Sequence, residues 1–277
     1  MSVQIRSNVR VTGQGGATMV FSHGFGCDQT MWRFLAPAFE DRFRVISYDL
    51  VGSGGSDLSA YDRLRYASLH GYAEDLLEII DACATGPVIL VGHSVSAMIG
   101  MLATIKAPGR FVAQVMVAPS ACYINDMGKH PAYVGGFERG DIDELLETME
   151  ANYLGWSSSL APAIMGAPGR PTLRAELTDS FCRNDPDIAK HFARVTFLSD
   201  HRADVPHSRT PALILQCSED LIAPRSAGDY LLRHLPRAEL HVIDNIGHCP
   251  HMSAPTASSR AIDAFLSTTM ATTLERA

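Results

Sequence analysis

The feature that most restricts this chain is an alternation of short apolar runs with helix-length amphipathic stretches, broken once by a long purely helical block. Thr18 to Phe21 reads as a buried strand, followed by a Gly-rich turn at Gly24 and Gly26. Asp28 is placed to cap a helix with Met31, Trp32 and Leu35 on one face. Arg44 to Tyr48 is a second strand, ending in the loop Asp49 to Ser56 with its glycines at 52, 54 and 55. A helix from about Leu69 to Cys83, a strand Val88 to Val91, a helix from Val95 to about Ile105 and a strand Val112 to Val117 follow. Parallel strands need a crossover between them, usually a helix, so this rhythm predicts a mostly parallel sheet covered by helices.

After Pro119 the rhythm stops. From about Asn125 to His207 the periods are helical, with Ile142 to Tyr153 amphipathic and Leu173 to Phe197 broken at Pro186. Strand-like runs resume at Ala212 to Leu215, then come a helix near Ser226 to Leu235, a strand Glu239 to Ile243 and a closing helix near Thr256 to Phe265. The expected fold class is therefore α/β, as one domain. Residues 1–124 and 207–277 form the core, and residues 125–206 form an inserted helical cap over the carboxyl edge of the sheet, where open α/β sheets bind ligands.

With 277 residues, 46% of them hydrophobic, the chain can bury one substantial core. A net charge of −7 argues against nucleic acid or an anionic membrane surface as a partner. No apolar run reaches the roughly 18 residues of a membrane span, and Met1 to Arg10 lacks a signal-peptide core, so a cytoplasmic location is expected. The six cysteines are scattered, which in that compartment means free and mostly buried thiols.

Chemistry enters at Gly92-His93-Ser94-Val95-Ser96, between a predicted strand and a predicted helix. That is the setting of a nucleophile elbow, whose tight turn demands small flanking residues. Ser96 stands where glycine is usual, and it still satisfies the steric demand. In folds with this elbow the acid and then the histidine follow the serine along the chain. Of the eleven histidines, His248 lies in the loop directly after the last strand, whereas His234 falls in a helix, His241 in a strand, and His251 reads as a surface or supporting residue. Asp220 lies just past the strand ending near Gln216; its competitor Glu219 reads as a solvated loop carboxylate. The alternative acid position, Ala118-Pro119-Ser120-Ala121, holds no carboxylate. A serine nucleophile also needs two N–H donors for the developing oxyanion. Val95, the residue after the nucleophile, supplies one, and Phe25 in His23-Gly24-Phe25-Gly26 supplies the other.

These strings, together with Gly135-Gly136-Phe137-Glu138, Ser199-Asp200-His201-Arg202 and Gly247-His248-Cys249-Pro250-His251-Met252-Ser253, closely resemble the RsbQ-like branch of the α/β-hydrolases over nearly the whole chain. That branch contains a bacterial stress-response regulator and, more distantly, the plant strigolactone and karrikin receptors. The resemblance implies the α/β-hydrolase fold and a Ser94, Asp220, His248 triad. It further implies an oxyanion hole at Phe25 and Val95, and four cap helices from about Asp126 to Val205 roofing an apolar pocket. Ser267 to Ala277 matches nothing in the branch and is expected to fray.

Two functions follow. One is a serine hydrolase of the carboxylesterase or lactonase type acting on a small hydrophobic ester or lactone through an acyl-enzyme. The other is a small-molecule sensor that docks on a signalling partner, such as a PAS-domain phosphatase, with slow or incidental turnover. Phe137, Trp156, Phe181, Phe192 and Phe197 are candidate pocket residues, with Trp156 the preferred wall. No cofactor is expected. A metal site at His248, Cys249 and His251 fits no standard zinc spacing, and Gly52-Ser53-Gly54-Gly55 does not open a helix as a dinucleotide loop would.

Overall fold

The computed structural model describes residues 1–128 and 132–274. The chain begins with a short helix α1 (Val3–Arg6) and strands β1 (Arg10–Thr12), β2 (Ala17–Ser22) and β3 (Phe43–Tyr48). Next come α2 (Leu69–Cys83), β4 (Val88–His93), α3 (Val95–Lys106) and β5 (Phe111–Val117). Four helices then intervene: α4 (Arg139–Ala151), α5 (Tyr153–Met165), α6 (Pro171–Arg183) and α7 (Pro186–Phe197). The chain closes with β6 (Ala212–Glu219), α8 (Arg225–His234), β7 (Ala238–Ile246), α9 (Pro250–Ser253) and α10 (Pro255–Leu274).

The strands form one sheet in the order β1-β3-β2-β4-β5-β6-β7, parallel throughout except where β1 runs antiparallel beside β3. This is the α/β-hydrolase architecture. Successive side chains of a strand point to opposite faces. Accordingly Met19, Phe21, Ile89 and Val91 enter one apolar layer, while Val20, Val88 and Leu90 enter the other with α2 and α3. Burial on both faces is why the central strands read as continuous apolar runs. Among the described residues, no helix is long and apolar enough to cross a membrane.

Three local expectations are corrected. The helix expected around Met31, Trp32 and Leu35 is two 3-10 turns, Gln29–Trp32 and Ala36–Phe39. Asp28 does cap the first, accepting the Thr30 N–H at 2.8 Å, but Pro37 has no N–H to continue a helix across the second. The N-terminal segment, to which the sequence reading assigns no element, carries α1 and the edge strand β1. Every residue of β1 is exposed, so no hydrophobic period announced it. The final stretch, expected to fray from Ser267, stays helical to Leu274; its last three residues lie outside the described residues.

The two ends of the four-helix block meet at its base. Isolated bridges pair Cys122 with Asp200, Ile124 with Phe137 and Asp126 with Tyr133. Arg202 ties them together. It donates to Asp200 at 2.6 Å and Asp126 at 3.1 Å, and its guanidinium lies 4.8 Å from the centre of the Tyr133 ring. We therefore expect Arg202→Leu to cost about 1.5–3 kcal/mol, the range for hydrogen bonds to a charged group, and to open the block first. Hydrogen exchange concentrated at residues 122–126 and 199–202 would agree; uniform loosening of the whole sheet would not.

Candidate active site

Ser94 sits in the turn between β4 and α3 at φ 55°, ψ −119°, a conformation a non-glycine residue rarely adopts and one that costs of order 1–3 kcal/mol. The turn is held by the Ser94 N–H on the Val117 carbonyl at 2.8 Å. Gly92 is required beside it, because a Cβ there would come within 2.4 Å of the Ser96 carbonyl oxygen. The serine at position 96 also has a use. Its hydroxyl donates to the His23 carbonyl at 2.5 Å and accepts from Ser22 Oγ at 2.9 Å, binding the turn to the loop that carries Phe25.

His248 follows β7 through Gly247, whose φ of +116° and contact with the Met165 carbonyl admit no side chain. Its Nε2 lies 2.7 Å from Ser94 Oγ, and its Nδ1 lies 2.7 Å from Asp220 Oδ2. The other carboxylate oxygen of Asp220 accepts the N–H groups of Ile222 and Ala223 at 2.9 and 3.1 Å. The carboxylate is thus fully engaged, with its side chain 0% exposed. Glu219 is exposed at the end of β6 and takes no part. A serine hydroxyl, an imidazole and a buried carboxylate therefore form one hydrogen-bonded chain.

Val95 opens α3, so its N–H lies in the first turn, where no intrahelical acceptor exists and the helix dipole is positive. Among the described residues, neither the Val95 nor the Phe25 N–H is bonded to a protein acceptor. Phe25 itself lines the cavity above Ser94.

That cavity is small and is walled chiefly by Phe25, Tyr123, Ile164, Leu177, Phe181 and Phe197. Of the aromatics expected at the wall, Phe181 and Phe197 are there. Trp156, Phe192 and Phe137 are not. Trp156 stands behind the wall, edge-on to Phe25 and stacked on Phe181, with its outer side in a larger groove between α4 and α5. Helix α5 reaches the cavity through Ile164 near its far end, about 12 Å along the axis from Trp156 at 1.5 Å per residue. Phe192 is wedged between Phe25 and Tyr72. Phe137 belongs to the base of the block, where its N–H holds the Tyr123 carbonyl at 3.1 Å. The larger groove has no histidine or cysteine in its lining and lies away from Ser94.

Two cavity residues escaped the sequence reading. The Tyr123 hydroxyl faces Ser94; burial pushes its pKa up to about 12, with the neighbouring Ser94 hydroxyl opposing and the Asp220 charge adding to the rise. Thr196 is 1% exposed, and its hydroxyl has no hydrogen-bond partner among the described residues. Neither residue lies in a motif, so no spacing marked them.

His251, expected as a surface or supporting residue, is wholly buried against Trp32 and His93, with ring centres 4.6 and 4.5 Å away. The sulfur and nitrogen donors that converge are those of His93, Cys249 and His251, all within 4.8 Å of one another. The grouping considered from sequence does not form, since both nitrogens of His248 are committed to Ser94 and Asp220. Burial raises the Cys249 thiol well above its ordinary value, so it stays protonated and unreactive.

Residues 19–261 match the Alpha/beta hydrolase family, and the chain belongs to that family. It is 38% identical over 254 residues to Karrikin insensitive 2 receptor CA of Petunia hybrida, spanning 91% of this chain and 93% of that protein. It is also 38% identical over 261 residues to a strigolactone esterase of Pisum sativum, spanning 94% and 96%. A solved hydrolase from Oleispira antarctica superposes with a TM-score of 0.91 at 43% identity, covering 96% of both chains.

Burial, and then the neighbouring His248, holds the His251 pKa down to about 3, and His93 is likewise held well below its ordinary value. The unfolded chain takes up these protons near pH 6.5. The stabilisation from neutral burial is therefore complete above pH 6.5 and drains away as the pH falls toward 3. We expect the urea midpoint to drop steeply between pH 7 and 4.5, and less steeply in His251→Leu. Parallel pH profiles for the two proteins would refute this account.

Proposed function

We propose that the protein is a serine hydrolase acting on small, largely apolar esters or lactones. The observation that carries the reading is the pair of 2.7 Å contacts linking Ser94, His248 and Asp220 at the floor of an apolar cavity. His248 takes the Ser94 proton as the hydroxyl oxygen attacks the carbonyl carbon. Asp220 keeps the imidazole in the tautomer that leaves Nε2 free to accept, and stabilises the imidazolium that forms. The carbonyl oxygen, now negative, is received by the N–H groups of Val95 and Phe25. Collapse expels the alcohol, which receives the proton from His248, and leaves an acyl group on Ser94. Water, deprotonated by the same imidazole, then releases the acid. For a lactone, alcohol and acid leave as one hydroxy acid. Relatives named as esterases agree with this chemistry, and turnover rather than docking on a signalling partner is what the geometry supports.

Purified protein should cleave p-nitrophenyl butyrate, and Ser94→Ala should lower kcat by about 10³-fold or more. Wild type no faster than Ser94→Ala would end the hydrolase reading.

The unpartnered Thr196 hydroxyl refines the substrate. A buried hydroxyl with no partner is costly, and a substrate oxygen or hydroxyl in the cavity would satisfy it. The preferred acyl group therefore carries one hydrogen-bonding substituent. Thr196→Val should lower the ratio of kcat/KM for p-nitrophenyl 3-hydroxybutyrate over the plain butyrate by about tenfold, the effect of one unpaired polar group. An unchanged ratio removes Thr196 from the specificity account.

A further inference from the structure

His93 closes β4 immediately before Ser94, and its side chain is buried. Its Nε2 lies 2.9 Å from the main-chain carbonyl oxygen of His248. We infer that His93 is a positioning residue: it donates from Nε2–H to the carbonyl of His248 and so holds the base against the nucleophile. This rests on the hydrolase reading above and adds a residue to it.

The donor assignment follows from elementary chemistry. A carbonyl oxygen only accepts, so the proton of the neutral ring must sit on Nε2, leaving Nδ1 as a bare acceptor. Burial, the neighbouring His251 and His248 itself keep the ring neutral. Its packing is equally directed. The ring lies 5.0 Å from that of His248 and 4.5 Å from that of His251, centre to centre. On another side it occupies the place a Cβ would need at Gly24, where an added carbon would fall 2.4 Å from His93 Nδ1. One imidazole thus abuts both the loop that presents Phe25 and the loop that presents His248. This accounts for the glycine at 24.

The two main-chain anchors of His248 come from different bodies. Its N–H bonds the Ile164 carbonyl of α5 at 2.8 Å, in the inserted helices. Its carbonyl bonds His93, in the sheet and one residue from Ser94. The first anchor is fixed to the inserted helices and the second to the sheet, so only the second is independent of where those helices lie. His93 therefore keeps base and nucleophile on one rigid element, and a displacement of about 1 Å in such a pair can cost about 10²-fold in rate.

The test compares His93→Leu, His93→Gln and His93→Asn by kinetics on p-nitrophenyl butyrate and by the low-field proton NMR signal of the His248 Nδ1–H. The glutamine amide reaches the place of Nε2 and the asparagine amide does not. We expect His93→Leu and His93→Asn to lose kcat by about tenfold or more with KM within about twofold, and to shift or broaden the low-field proton. His93→Gln should recover most of the lost kcat. Should His93→Leu not fold, the Gln against Asn comparison decides alone. Wild-type kcat in a folded His93→Leu, or equal losses in Gln and Asn, would overturn the inference. An active Ser94→Ala would instead overturn the hydrolase reading, so the two failures are told apart.

Discussion

The contact between Ser94 Oγ and His248 Nε2 joins residues 154 positions apart, and nearly every other feature of the site can be understood as a condition for it. The serine must be pushed forward on a strained turn, which needs Gly92 at one flank and tolerates only a small residue at the other. The histidine must arrive from the end of β7, three strands across the sheet from β4, on a loop that only Gly247 can turn. The parallel order brings the carboxyl ends of β4, β6 and β7 to one edge, and Ser94, Asp220 and His248 each follow one of those ends. The strain at Ser94 is held by the packed layers on both sides of the sheet, whose burial is worth about 1.5–3 kcal/mol per large side chain.

What was legible in the sequence is what local physics determines. Strands β2 through β5 are buried on both faces, so their apolar runs stood out, and the bounds of α2 matched its amphipathic period. The elbow could be read because its sterics restrict composition residue by residue. Asp220 could be placed because the end of β6 leaves one carboxylate that turns inward while Glu219 faces solvent. What could not be read depends on approach between elements. Trp156 looked like a wall because it is large and aromatic, yet which turn of α5 meets the cavity is set by how that helix crosses its neighbours. Tyr123 and Thr196 belong to no motif, and their importance arises only from where a loop and a helix end come to rest. His251 looked like a surface or supporting residue because polarity predicts exposure, whereas a neutral imidazole among Trp32 and His93 is fully buried.

The motifs beyond the catalytic strings divide by role. Ser199-Asp200-His201-Arg202 and Gly135-Gly136-Phe137-Glu138 meet at the foot of the inserted helices. There Arg202 joins both ends of the insertion, and Asn125 accepts the N–H groups of Gly135 and Gly136 at 2.9 Å. An apolar chamber walled by these helices needs such a fixed base, or the wall and Ser94 lose register. The geometry thus sets the sheet edge that carries Ser94, Asp220 and His248 beneath a helical block tied at its base.

The central claim is that His248 activates Ser94. Mass spectrometry after exposure to a fluorophosphonate reads this without assuming a substrate, because the reagent captures only an attacking hydroxyl. The account predicts one adduct, on the peptide containing Ser94, forming about 10²-fold or more slower in His248→Ala. Folded protein that takes up no label, labels elsewhere, or labels Ser94 equally fast without the imidazole would contradict it.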